Sequence, residues 1–340
     1  MKEYKLYNRE EYINGYANVR KYRPIIEGYM DEIFANGVEN LVLAGVGGTY
    51  AISMPFEYFT KKRTTFPVYI ENAAEVVLGT NIAIGPKSLV VLYSESGTTK
   101  ETVALAEYCK EKGIPTIGVS YKPDTPLAKA LTYPIISEEG DELSCDGDFY
   151  RMYMIVAAFL NKLGDFPDYD VFMESLENTP VAMADIKEAV DDDAKAYAEA
   201  IKDEPYHLII GAGNQWGSTY CFAMCYLEEM QWIHTRAVTS PEFFHGVLEL
   251  IEEDTSIMIF KGEDEQRVLT ERAEKFAKKI SKKVKVIDTK EYECKGVAEK
   301  YRADLCPMFL EAYLGRLTAH LETATGHSLD IRRYYKVMDY

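Results

Sequence analysis

Ser94-Glu95-Ser96-Gly97-Thr98-Thr99 sets hydroxyl side chains and a glycine between an apolar run, Leu89-Val90-Val91-Leu92, and a stretch of helical periodicity. A strand that ends this way and turns into a helix aims backbone N–H groups and hydroxyls at one point, where the helix N-terminus adds its positive dipole end. That is a cradle for the phosphate of a sugar or a nucleotide. The same residues fit an ordinary helix cap, with Ser96 or Thr98 capping and Glu101 completing a capping box, and on these residues alone both readings stand.

A second constellation lies further on. Glu229 falls in the helical run from Cys221 to His234, and sixteen residues later comes His245, inside Pro241-Glu242-Phe243-Phe244-His245-Gly246. A glutamate can shuttle a carbon-bound proton and a histidine can protonate an oxygen or nitrogen near neutral pH, provided the two are held on opposite sides of a small substrate. The plainer alternative makes Glu228 and Glu229 a solvated helix face and His245 a capping residue. Leu227, Met230 and Trp232 beside these acids argue that at least one of them points into protein. His234, at the expected end of the helix, is the other histidine placed near this site; His207, His320 and His327 have no spacing that suggests a metal.

Alternating elements must position these groups. Short β-rich runs alternate with helical patterns twice, separated by an acidic helical segment around residues 184–203. The first set of strands is expected at 41–43, 68–70, 89–92, 116–119 and 133–136. The second is expected at 207–210, 237–239, 257–260 and 284–287, closed by a long helix from about Pro307 to Thr325. Near-continuous apolar strands joined by crossover helices give parallel sheets buried on both faces, with ligands beyond the carboxyl ends of the strands. Both halves open alike, with Leu43-Ala44-Gly45-Val46-Gly47-Gly48-Thr49 in one and Ile210-Gly211-Ala212-Gly213-Asn214 in the other, which suggests an internal duplication. Gly45-x-Gly47-Gly48 lacks the G-x-G-x-x-G spacing of a dinucleotide site, and no ribose-binding acid follows.

Composition bounds the rest. The 340 residues, 47% apolar, can fill two cores, and 55 acidic against 38 basic residues leave a net charge of −17, so nucleic acid is an unexpected partner. No stretch reaches the length of a membrane span and the N-terminus lacks a secretion signal, so a cytoplasmic location is expected. Cys109, Cys145, Cys221, Cys225, Cys294 and Cys306 carry no C-x-x-C pair; free thiols are expected rather than disulfides or a zinc site.

Taken together, Gly45-Val46-Gly47-Gly48-Thr49, Ser94-x-Ser96-Gly97-x-Thr99, and Glu229 with Glu242-Phe243-Phe244-His245-Gly246 resemble sugar isomerase (SIS) domains, over roughly residues 40–333. The length and the ending Asp330-Ile331-Arg332-Arg333-Tyr334-Tyr335 are most similar to the fructosamine 6-phosphate deglycases, which include the fructoselysine, glucoselysine and fructose-asparagine enzymes. The isomerase half of glucosamine-6-phosphate synthase is also similar, but with no glutaminase domain before it, ammonia-dependent synthesis is not expected. The resemblance implies an α/β fold of two doubly wound, flavodoxin-like parallel-sheet SIS domains in tandem. The expected division is a helical segment at 1–34, a phosphate-binding domain at 35–180, a catalytic domain at 181–330 and a tail at 331–340 serving as a lid. It further implies that Ser94, Ser96 and Thr99, with Gly48 and Thr49, hold a 6-phosphate. Glu229 would be the base and His245 the acid, and Arg332, Arg333 and Tyr334 would lie at the substrate or in the lid. No metal or cofactor is implied, and the site forms in a homodimer or dimer of dimers, with His245 open to contribution by the neighbouring subunit. An aldose–ketose sugar-phosphate isomerase and a non-catalytic phosphosugar sensor are the competing readings.

Overall fold

Asn40-Leu41-Val42-Leu43-Ala44-Gly45 and Ser88-Leu89-Val90-Val91-Leu92-Tyr93 carry no alternation of polar and apolar residues, and in the computed structural model both are strands buried along their whole length. The structure describes residues 4–137 and 144–339, and the side chains of Ser144 and Cys145 lie outside those described. The chain divides into two units, Glu10–Glu177 and Asn178–Tyr340 together with Met1–Arg9.

In the first unit, α1 (Arg9–Arg20) and α2 (Arg23–Ala35) precede β1 (Asn40–Gly45), and α3 (Gly48–Lys61) leads to β2 (Val68–Asn72) and α4 (Ala73–Val77). Then come β3 (Ser88–Tyr93), α5 (Lys100–Lys112), β4 (Thr116–Ser120), α6 (Pro126–Ala130), β5 (Tyr133–Ile136), α7 (Ser144–Leu163) and the start of α8 (Tyr169–Ile201). All five strands are parallel, in the order β2-β1-β3-β4-β5. This is the flavodoxin-like doubly wound order, in which the chain leaves β1 towards one edge of the sheet and β3 towards the other. Val42, Ala44, Val90 and Leu92 on one sheet face pack with Leu105, Ala106 and Cys109 of α5 and with Leu127.

The second unit repeats the plan. β6 (Tyr206–Gly211) is followed by α9 (Trp216–Cys221) and a π-helix (Phe222–Met230), then β7 (His234–Thr239) and α10 (Ser240–Phe243). β8 (Ser256–Lys261), α11 (Arg267–Ile280), β9 (Val284–Asp288) and α12 (Glu299–Thr325) complete it. Its sheet is parallel with the order β7-β6-β8-β9, the same 2-1-3-4 sequence as in the first sheet, as the duplicated glycine turns suggest.

α12 begins eight residues before the expected Pro307. A proline inside a helix leaves the carbonyl four residues back without its donor. Here that carbonyl, on Ala303, is taken by Asn214 Nδ2 and by Cys306 Sγ at 3.3 Å, so the helix runs through Pro307. Cys109, Cys221, Cys294 and Cys306 are buried free thiols and Cys225 is a half-buried one. Among the described residues no helix is long and apolar enough to cross a membrane.

Candidate active site

The loops after β1 and β3 stand at the point where the strand order reverses, the crevice where doubly wound sheets take ligands. Within the loop after β3, Ser94 Oγ and Thr99 Oγ1 are 3.0 Å apart, Gly97 N donates to Ser94 Oγ at 3.2 Å, and Thr98 Oγ1 donates to Ser96 Oγ at 3.0 Å. Thr99 is the N-cap of α5 but makes no side-chain cap bond; neither Ser96 nor Thr98 caps the helix. Gly97 is required: its φ is +63°, and a Cβ there would lie 2.4 Å from Thr125 Oγ1. The N-terminus of α5 thus has no side-chain cap, and the hydroxyls of Ser94, Ser96 and Thr99 lie in the loop that leads into it.

The loop after β1 contributes differently. Gly47, with φ +59°, caps α3, whose first residue is Gly48. Thr49 Oγ1 donates to the Val46 carbonyl at 2.9 Å and accepts from Val46 N at 3.1 Å, so its hydroxyl proton is engaged in its own loop. Thr49 shapes the turn that presents the amides near Gly47 and Gly48.

Next to the loop after β3 lies a polar network with no sequence motif. Tyr93, the residue before Ser94, donates to Asp148 Oδ1, and Arg151 Nη1 approaches the same oxygen at 3.4 Å while its Nε donates to Ser137 Oγ at 3.0 Å. All four side chains are buried. Burial pushes the Asp148 carboxyl up from 3.8 to about 7, against the opposing pull of Arg151. Between those two values the folded chain holds a proton that the unfolded chain has lost, so this contribution to stability is complete below about pH 4 and fades as the pH rises to about 7. Asp148→Asn removes the titration. The stability of the wild type relative to this variant should therefore fall by on the order of 4 kcal/mol from pH 4 to pH 7 and stay level above, which thermal melts of both proteins across that range would check.

The corresponding glycine turn of the second unit is closed from within. Asp264, from the loop after β8, accepts from Asn214 N at 2.9 Å and Gln266 N at 2.8 Å. Gly213, with φ +60°, has the same carboxylate 2.4 Å from where a Cβ would lie. The protein's own anion sits at the turn that in the first unit is left open.

Glu229 lies near the end of the π-helix. The expected helical run to His234 is corrected here: the helix stops at Met230, Trp232 takes a left-handed φ of +58°, and His234 opens β7, exposed. Tyr206–His234 pairing in the sheet, rather than a helix end, fixes that histidine. Of the two neighbouring acids, Glu228 is exposed and accepts from Thr235 Oγ1 at 2.5 Å, whereas Glu229 is half-buried and receives Arg332 Nε at 2.8 Å. The tail is tied to the same loop, because Arg333 stacks on the Trp232 ring 4.1 Å from its centroid and His327 lies against the ring at 4.3 Å. Tyr334 is exposed.

His245 follows the other end of β7, exposed, with its backbone N–H on the Glu242 carbonyl at 2.9 Å. Glu229 precedes the strand and His245 follows it, and a six-residue strand spans roughly 17–20 Å. β7 therefore stands between the two residues in the chain. The ties of Gln231 and Trp232 to His327 are what sequence reasoning missed, since nothing in their spacing links positions about a hundred apart.

Comparison with known proteins agrees with this architecture. Residues 36–161 match the SIS domain family. The chain is 31% identical to the fructosamine deglycase FrlB of Bacillus subtilis, over 93% of this chain and 97% of that protein. It is 22% identical to the fructoselysine 6-phosphate deglycase of Escherichia coli, over 92% of this chain and 90% of the other. The crystal structure of a Bacillus subtilis protein provisionally named a phosphosugar isomerase superposes with a TM-score of 0.89 at 30% identity, covering 93% of this chain and 97% of that one. The C-terminal domain of glucosamine-fructose-6-phosphate aminotransferase from Francisella tularensis shares the fold, with a TM-score of 0.76 at 16% identity over 94% and 98% of the two chains. With the two parallel sheets, the hydroxyl-lined turn and a similarity that runs nearly end to end, the chain belongs to the fructosamine deglycase family of SIS-domain proteins.

Proposed function

We propose that this protein cleaves a 6-phosphorylated fructosamine to glucose 6-phosphate and a free amine, typically an amino acid. The observation that carries the reading is the similarity to FrlB along almost the whole of both chains. The uncapped N-terminus of α5, ringed by Ser94, Ser96 and Thr99, supports it as a seat for the 6-phosphate, with the amides near Gly47 and Gly48 beside it. In our reading the phosphate-binding domain is residues 35–180 and the catalytic domain residues 181–330.

The reaction needs one proton moved twice. Glu229 removes a proton from C1, between the amine and the C2 ketone, giving a resonance-stabilised enaminol. The same carboxyl returns the proton to C2, which leaves an imine at C1. Water adds to that imine, and His245 protonates the departing nitrogen, so that fructosamine phosphate and water become aldose phosphate and amine. Because Glu229 and His245 lie at opposite ends of β7, we assign the acid to a second copy of the chain, which makes a homodimer the functional form.

The test is incubation with a panel of 6-phosphorylated fructosamines, following glucose 6-phosphate by a coupled dehydrogenase and the amine by mass spectrometry. Release of both products is the expected result. Isomerisation of a ketose phosphate without amine release would instead make the protein an aldose–ketose isomerase.

The phosphate is a handle remote from C1, so weakening its seat should cost binding more than turnover. Ser96→Ala removes a hydroxyl from a charged ligand, a contact of about 1.5–3 kcal/mol. The Michaelis constant should rise roughly 10- to 100-fold with a nearly constant maximal rate; an unchanged constant would take Ser96 out of the phosphate seat.

A further inference from the structure

We infer that Arg332 is the positioning residue of the base, and that residues 325–333 act as a clasp holding the loop that carries Glu229; this rests on the deglycase reading above. Arg332 Nε meets Glu229 Oε1 at 2.8 Å, and its Nη1 donates to the carbonyls of Leu329 and Ile331, so the guanidinium is oriented by its own backbone before it reaches the acid. The two side chains are 18% and 31% exposed, partly withdrawn from water. Three further ties lock the same two segments. Gln231 Nε2 donates to the His327 carbonyl at 2.9 Å, Thr325 Oγ1 donates to Gln231 Oε1 at 2.7 Å, and the Trp232 ring lies against both His327 and Arg333. Trp232 keeps its left-handed backbone three residues from the base, a conformation that persists only where the surroundings enforce it.

The geometry has a chemical consequence. The Arg332 contact engages Oε1, so in this proposal Oε2 takes the C1 proton. The guanidinium already holds a carboxylate, the protein's own, which separates this role from recognition of an amino-acid carboxylate.

The test compares wild type with Arg332→Ala, Arg332→Lys and Glu229→Gln on two substrates, fructoselysine 6-phosphate and a fructosamine 6-phosphate made from a simple alkylamine without a carboxylate. Turnover, Michaelis constant and exchange of the C1 hydrogen with solvent deuterium are measured for each, and Arg332→Gln replaces the alanine variant should that one melt below the assay temperature. Misplacing a reacting group by about 1 Å costs about 10²-fold, so Arg332→Ala should lower turnover and C1 exchange together by up to about 100-fold on both substrates. The Michaelis constant should hold, and lysine should restore part of the loss. A raised Michaelis constant with turnover and exchange intact, or a loss confined to the carboxylate-bearing substrate, would overturn the inference and leave the deglycase reading standing. Wild-type exchange and turnover in Glu229→Gln would overturn the assigned base and the clasp with it.

Discussion

Glu229→Gln should reduce turnover on a 6-phosphorylated fructosamine by about 10²- to 10⁴-fold, the usual contribution of a general base. Glutamine has nearly the shape of glutamate and can still accept the Arg332 Nε–H through its carbonyl oxygen, so the loop from the π-helix to β7 keeps its clasp. What it cannot do is take the C1 proton. The lost ion pair is partly exposed and worth little to the fold, about 0–1 kcal/mol, so a melting temperature close to wild type is part of the expected result. Phosphate anchoring should also survive, because Ser94, Ser96 and Thr99 belong to a different loop. Titration calorimetry with glucose 6-phosphate, alongside the coupled assay, would separate the two effects. A well-folded variant that turns over at the wild-type rate would remove Glu229 from the mechanism.

The features that could be read from the sequence and those that could not differ in how each is encoded. The strands could be read because runs such as Leu89 to Leu92 are apolar on both faces, a pattern fixed by burial within a parallel sheet. The hydroxyl-lined turn after β3 could be read because hydroxyls and a left-handed glycine must be adjacent in sequence to crowd one helix end. Other features depend on groups far apart in the chain. The start of α12 was misplaced because Pro307 reads as a first helical residue, and the donor that rescues its orphaned carbonyl, Asn214, lies 89 residues from Ala303. The Glu229–Arg332 pair spans 103 residues and the Asn214–Asp264 bond spans 50, and no periodicity connects them. The π-helix escaped for another reason. Over the nine residues Phe222–Met230 its wider turn shifts the side-chain pattern too little to be told from an α-helix, yet it moves the exit of the helix and with it His234.

Chains carrying Glu229→Gln and chains carrying His245→Ala should each be nearly inactive alone and recover activity when mixed. β7 is an edge strand held by continuous parallel pairing from Tyr206–His234 to Gly211–Thr239, so six of the residues between the base and the acid form a rigid spacer. His245 is exposed beyond the carboxyl end of that strand, available to a substrate held by another copy. In a symmetric dimer each site then takes its base from one chain and its acid from the other. Half of the randomly reassorted dimers are mixed, and one of the two sites in each combines both intact groups, so roughly a quarter of wild-type activity should return in the mixture and roughly half in the purified mixed dimers. Refolding or co-expressing the two variants with different affinity tags, purifying the doubly tagged species and assaying amine release would measure it. Recovery would place the base and the acid of each site on different chains. Persistent inactivity in a doubly tagged dimer would mean that each site draws both groups from one chain, and would overturn the assignment of the acid to a second copy.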